Sequence, residues 1–240
     1  MAIDPATATL PSTPAAEQVT AFAAALTPFE VGVMTVVSVL VVAASYAGWW
    51  SISETEAWGF ATGGVCVWLV VREHLWNWPI GLANNVVFFV LFFKSALYAD
   101  MGLQTVYFAL GVFGWLNWRR GCAQRAGLPI SRASRGDWIV VAVAIPLGTW
   151  VLREILIKVN GAAPFWDSLT TVLSLVAQYL LCRKRIENWL LWIVADLIYV
   201  PLYVARALPL TAVLYGVFLV MCLFGIRQWN RTYQLNAHRP

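Results

Sequence analysis

The sequence predicts an all-α integral membrane protein: two parallel three-helix repeats joined by a linker helix, a 3+1+3 plan, with one extra helix in front. Three observations carry this prediction. Apolar runs long enough to cross a bilayer recur along the whole chain. These runs are continuous rather than alternating, which excludes a β-barrel. The chain also matches itself without a gap at an offset of 111 residues, so that Arg72 falls on Arg183, Asn77 on Asn188, Trp78 on Trp189, Asn85 on Asp196, Gly114 on Gly225 and Trp118 on Trp229. Hydrophobic residues make up 60% of the 240, charged residues 12%, and the mean hydropathy is +0.70. So few charges cannot coat a water-soluble domain.

Taken in order, residues 1–30 carry Asp4, Glu17 and Glu30 but no Lys or Arg, so they lack the basic flank of a signal peptide. Residues 1–16, rich in Ala, Thr and Pro, read as disordered, and 17–29 as a short surface helix. Eight apolar segments follow, at 31–50, 57–71, 78–95, 102–118, 137–157, 167–182, 188–205 and 210–229. The implied organisation is an extra helix within 31–56, a first repeat and basic loop over 57–136, a linker helix and loop over 137–166, a second repeat over 167–230, and a tail at 231–240.

The basic residues orient these segments. Arg72, Arg119, Arg120, Arg125, Arg132, Arg135, Arg183, Lys184, Arg185, Arg227, Arg231 and Arg239 fall on one side, and only Lys94, Arg153, Lys158 and Arg206 on the other. The richer side is expected in the cytoplasm, with both termini. The net charge of +4 therefore reports topology and not a nucleic-acid partner. Each repeat has an odd number of crossings, so direct fusion would invert one copy; segment 137–157 adds a crossing and makes them parallel. This arrangement resembles the full-length SWEET sugar transporters. Duplicated helical bundles with polar residues inside them point to passage of a solute between the copies.

Those polar residues lie chiefly on segment seven. Steps of three and four place Trp189, Trp192, Asp196, Tyr199 and Tyr203 on one helical face. A carboxylate half-way through a span costs about 2.5–3.5 kcal/mol in lipid, so Asp196 is expected to face a polar interior. The matching helix carries Asn84 and Asn85; Gln104, Tyr107 and Gln178 add further polar groups. The candidate substrate-binding residues are Asn84, Gln104, Gln178, Asn188, Trp189, Trp192, Asp196 and Tyr199. Trp78, Trp118, Trp166 and Trp229, near segment ends, read as interfacial anchors. Gly111 and Gly114 read as close-packing positions. Cys66, Cys122, Cys182 and Cys222 form no CxxC pair and read as small core residues, with neither a disulfide framework nor a metal site. His74 and His238 cannot complete an HExxH or Ser/His/Asp set, and no Walker loop is present, so no enzyme activity and no cofactor are expected.

Several linked motifs carry a family resemblance. They are NWPIGLAN at 77–84, FF at 92–93, LYAD at 97–100, LQ at 103–104, GW at 114–115, PFWDS at 164–168, VLS at 172–174, RK at 183–184 and ENWLLW at 187–192. Over about residues 57–230 the chain resembles the PnuC family of vitamin transporters. The resemblance implies facilitated uptake of nicotinamide riboside across a bacterial inner membrane, with a cytoplasmic riboside kinase trapping the arriving solute. It places substrate-contacting aromatics at Trp189 and Trp192 and an amide at Asn84. Relatives of similar fold carry thiamine or riboflavin. The partners implied are the riboside and the lipid bilayer, and a homo-oligomer is compatible with the sequence.

Overall fold

The structure, a computed structural model, describes residues 26–49, 54–94, 98–123, 128–159, 163–205 and 209–237. Among them are eight helices and no strand: α1 (Pro28–Tyr46), α2 (Glu54–Val71), α3 (Asn77–Lys94), α4 (Tyr98–Ala123), α5 (Arg135–Lys158), α6 (Pro164–Cys182), α7 (Asn188–Ala205) and α8 (Pro209–Ala237). The disordered stretch and surface helix expected before residue 30 fall largely on residues 1–25, outside the described residues, as do Arg125, Arg206 and Arg239. Among the described residues, five helices are long and apolar enough to cross a membrane: α1, α5, α6, α7 and, over Ala212–Asn236, α8.

Helix ends depart from the apolar windows for local reasons. α1 stops at Tyr46 because the chain turns there: Ala47 N–H donates to the Ala43 carbonyl at 2.9 Å, and Gly48 takes a left-handed φ of 67°. α4 and α8 run past their windows because a hydrogen-bonded helix continues wherever polar residues can take it into water. On α8 the polar end is held by Arg132, which donates to Asn230 Oδ1 at 2.9 Å and lies over the Tyr233 ring at 5.6 Å.

Within the first copy, α3 packs on α2 and α4; within the second, α7 packs on α6 and α8. Between copies, α2 packs on α8 and α4 on α6. These two contacts exchange under the offset of 111. The tryptophans state the same reciprocity atom by atom. Trp118 Nε1 donates to the Leu181 carbonyl and Trp229 Nε1 to the Val70 carbonyl, both at 3.2 Å, and each donor and acceptor lies 111 residues from its counterpart. Trp78, Trp118 and Trp229 are only 3%, 2% and 0% exposed. They are core residues and not interfacial anchors: the indole nitrogens of Trp118 and Trp229 are used between helices, and Trp78 packs edge-on against Trp118. Trp166, at 48% exposure, is the one of the four that faces outward.

Glycine makes this core possible. A Cβ at Gly114 would stand 2.1 Å from the Trp78 ring, and one at Gly225 would stand 2.5 Å from Trp189. Both contacts are closer than carbon atoms approach, so each indole needs a bare backbone opposite it. Three hydroxyls on α6 are satisfied within the helix: Ser168 donates to Pro164 O at 2.5 Å, Thr170 to Trp166 O at 2.9 Å and Ser174 to Thr170 O at 2.8 Å.

The starts of α1 and α5 are built alike. Thr27 with Glu30, and Ser134 with Asp137, form capping boxes. Glu30 then pairs with Arg72 at 3.2 Å, and Asp137 with Arg183 at 2.6 Å and with Arg185 at 2.9 Å. Arg72 and Arg183 are counterparts at the offset of 111. The helix that looks like an addition in the sequence thus meets the end of α2 much as the linker helix meets the end of α6. The α4–α5 connection is tied to the α6–α7 turn through Ser131, which donates from its N–H to Lys184 O and accepts from Ile186 N–H, both at 3.1 Å. Arg183, Lys184 and Arg185 therefore also hold the fold together.

Candidate functional site

Between the two copies lies a cavity of about 370 Å³, the size of a small-molecule site. Its walls obey the offset of 111. Eight counterpart pairs line it: Gly63 and Ser174, Val67 and Gln178, Val70 and Leu181, Trp78 and Trp189, Gly81 and Trp192, Asn85 and Asp196, Tyr107 and Phe218, Gly111 and Cys222. Cys66, Asn77, Leu82, Asn84, Tyr199 and Tyr215 complete the lining.

Six of the eight candidate residues meet here: Asn84, Gln178, Trp189, Trp192, Asp196 and Tyr199. Two do not line the cavity. Asn188 is fully buried, and its amide donates to the Arg185 carbonyl at 2.6 Å, so it secures the start of α7. Its counterpart Asn77 donates likewise to His74 O, at 2.7 Å, yet also borders the cavity. Gln104 is half-buried outside the lining, and its counterpart Tyr215 takes the cavity position instead. Tyr215, Ser174, Cys66 and Cys222 escaped the reading of the sequence. Applying the offset to Gln104 would have found Tyr215.

Helix α7 presents its polar face inward. Asp196 is 4% exposed, and Cys222 Sγ lies 3.7 Å from its Oδ2. Further along the same face, Tyr199 and Tyr203 cluster with Tyr215 of α8, with ring centroids 4.5–5.7 Å apart. Pro201 lies within that turn of α7 and removes a backbone donor from it. On α3, Asn84 Nδ2 donates to Thr62 Oγ1 of α2 at 3.1 Å, which fixes the amide at the cavity edge.

The opposite end is floored by tryptophan. Trp78 packs edge-on against Trp118 at 5.3 Å, Trp189 against Trp229 at 5.5 Å, and the two pairs meet at 6.3 Å. The indole N–H groups of Trp78 and Trp189 are buried without a protein partner. A buried donor in that condition is costly, and both residues border the cavity. A second groove of about 490 Å³ lies between α1, α2 and α8. It is nearly all apolar, with walls such as Val37, Trp68, Val217 and Met221, and it offers no comparable set of polar groups.

The cavity can hold a flat ring against indole, offer amides to a polar substituent, and set a carboxylate nearby. Comparison with known proteins points the same way. The family profile described as nicotinamide mononucleotide transporter matches residues 53–231. The nicotinamide riboside transporter PnuC of Escherichia coli is 31% identical over 211 residues, 76% of this chain and 87% of that protein. The riboflavin/roseoflavin transporter RibM of Streptomyces davaonensis is 30% identical over 179 residues, 71% of this chain and 82% of that protein. A solved structure described as the vitamin B3 transporter PnuC shares the fold, with a TM-score of 0.64 and 24% identity over 88% of this chain and 94% of that one.

Proposed function

This chain belongs to the PnuC family of nicotinamide riboside transporters, and we propose that it carries nicotinamide riboside itself across a bacterial inner membrane by alternating access. One observation carries the reading: a single cavity lined by eight counterpart pairs from two sequence copies. Two copies so related can rock about a pseudo-two-fold axis along the membrane normal, in the 3+1+3 arrangement of full-length SWEET transporters. The tryptophan floor lies towards the arginine-rich turns, so it closes the cavity on the cytoplasmic side, where both termini lie.

The chemistry of the riboside suits the lining. Its pyridinium ring carries delocalised positive charge, and an indole face attracts such a ring by about 0.5–2 kcal/mol. Trp192 and Trp189 supply the faces. Asn84 and Gln178 can both donate to and accept from the carboxamide. Asp196 balances the cation or takes ribose hydroxyls, and it repels a 5′-phosphate. Transport is downhill, and phosphorylation by a cytoplasmic riboside kinase makes it one-way, because the product no longer fits the site.

A second reading, riboflavin, is favoured by one observation, the relative named as a riboflavin/roseoflavin transporter. Calorimetric titration of the purified protein with nicotinamide riboside, thiamine and riboflavin separates the two. The reading predicts saturable binding of the riboside and much weaker binding of the others. Preference for riboflavin overturns it.

A further inference from the structure

The two halves of the cavity are built alike but furnished differently. At counterpart positions the second copy provides Ser174, Gln178 and Trp192, where the first has Gly63, Val67 and Gly81. Trp192 sits on α7 between Trp189 and Asp196 as Gly81 sits on α3 between Trp78 and Asn85, so one face of each helix carries the set. At these three positions the side chains are on one wall and the room is on the other.

Helix packing does not explain Gly81. A Cβ at Gly111 would meet Leu82 at 2.9 Å, and one at Gly114 would collide with Trp78. A Cβ at Gly81 would meet only Cys66 Sγ, at an ordinary 3.9 Å. Glycine in mid-helix is less stable than alanine, and here nothing in the protein requires it. What lies beside its Cα is the cavity itself.

We infer that Gly81 determines specificity: the bare backbone at this position is the space into which the flat ring of the solute fits while its face lies on Trp192. The inference rests on the cavity being the riboside site. It adds that the size of ring admitted is set by the first copy, at a residue that makes no polar contact. A larger side chain at 81 projects into the ring's place and leaves the polar groups of the second copy untouched.

The test places Gly81→Ala, Gly81→Leu and, as a control, Gly102→Leu in the purified full chain and measures riboside binding by calorimetry. Gly102 is also helical with open space around it, but it is exposed and outside the cavity. Gly102→Leu is expected within about threefold of wild type, Gly81→Leu about 10- to 100-fold weaker, the range for overfilling a packed site, and Gly81→Ala between the two. A Gly81→Cys variant guards against misfolding: it is purified folded, then labelled with methanethiosulfonates of increasing size, with mass spectrometry confirming modification at position 81 and wild type treated alongside as the reference for the native thiols Cys66 and Cys222. Binding is expected to fall with adduct size, and bound solute to slow labelling. Binding that is indifferent to the adduct, or to Gly81→Leu in folded protein, overturns the inference. If wild type prefers thiamine or riboflavin and the adduct weakens that vitamin instead, the riboside reading falls while the role of Gly81 stands.

Discussion

Glu73 and Lys184 form an ion pair at 2.9 Å, and they occupy the same position in the two sequence copies, 111 residues apart. Both follow the end of a helix in left-handed backbone, with φ of 55° and 50°. The turns share bonds: His74 N–H reaches Leu69 O and Arg185 N–H reaches Leu180 O. Two counterparts can touch only where the axis relating the copies passes between them. In the proposed paired-repeat arrangement the pair marks that axis, beside the tryptophan floor, with Lys184 Nζ 4.4 Å above the Trp118 ring.

Breaking this pair is expected to destabilise the protein. The two side chains are 10% and 20% exposed, so solvent screens them poorly. Glu73→Lys sets two ammonium groups together and is expected to cost about 1–3 kcal/mol. The exchange of Glu73→Lys with Lys184→Glu is expected to recover most of it. Thermal unfolding in detergent reads both, and no recovery in the double variant means the pair contributes little.

Trp192→Ala is expected to weaken riboside binding about 10-fold or more with the melting temperature held near wild type, since it loses a ring face worth about 0.5–2 kcal/mol together with buried contact area. Trp192 is only partly buried, so the fold tolerates its loss. Unchanged affinity by calorimetry removes Trp192 from the site.

Asp196→Asn isolates charge, because the amide keeps the size and most of the hydrogen bonding. Riboside binding is expected to weaken, and the preference for riboside over its 5′-phosphate to narrow. An uncharged riboside analogue should lose less. If all three ligands bind the variant as they bind wild type, Asp196 serves the fold alone.

Gly225→Ala places a methyl group 2.5 Å from Trp189. Overpacking of this kind costs about 1–3 kcal/mol, and because Trp189 borders the cavity, affinity should fall as well. Gly114→Ala, acting on Trp78, is its counterpart. Full stability and full affinity in both variants would contradict the packing described for the tryptophan floor.

Trp118 and Trp229 show where reading from sequence stops. A tryptophan near a helix end looks the same whether it anchors at the lipid surface or binds a carbonyl of the other copy; only packing distinguishes them. The helices themselves were legible, because continuous apolar runs and the offset of 111 are properties of side-chain order. The stripe from Trp189 to Tyr199 was legible for the same reason, since helical steps project it onto one face. Tyr215 and Gly81 were not. Tyr215 belongs to α8, which carries no polar stripe, and is reached only through the offset from Gln104; Gly81 acts through the side chain it lacks. Asn188 shares the pattern of a binding residue but serves the turn before α7, a choice made by a 2.6 Å bond to Arg185 O.

The central claim is carriage of nicotinamide riboside between two conformations of a paired-repeat cavity. Uptake of labelled riboside into proteoliposomes, loaded inside with unlabelled riboside, thiamine or riboflavin, tests it most directly. The account predicts saturable uptake that is accelerated by internal riboside alone, needs no ion gradient, and is lost in Trp192→Ala. Uptake that does not saturate, or that is accelerated equally by all three vitamins, would contradict it.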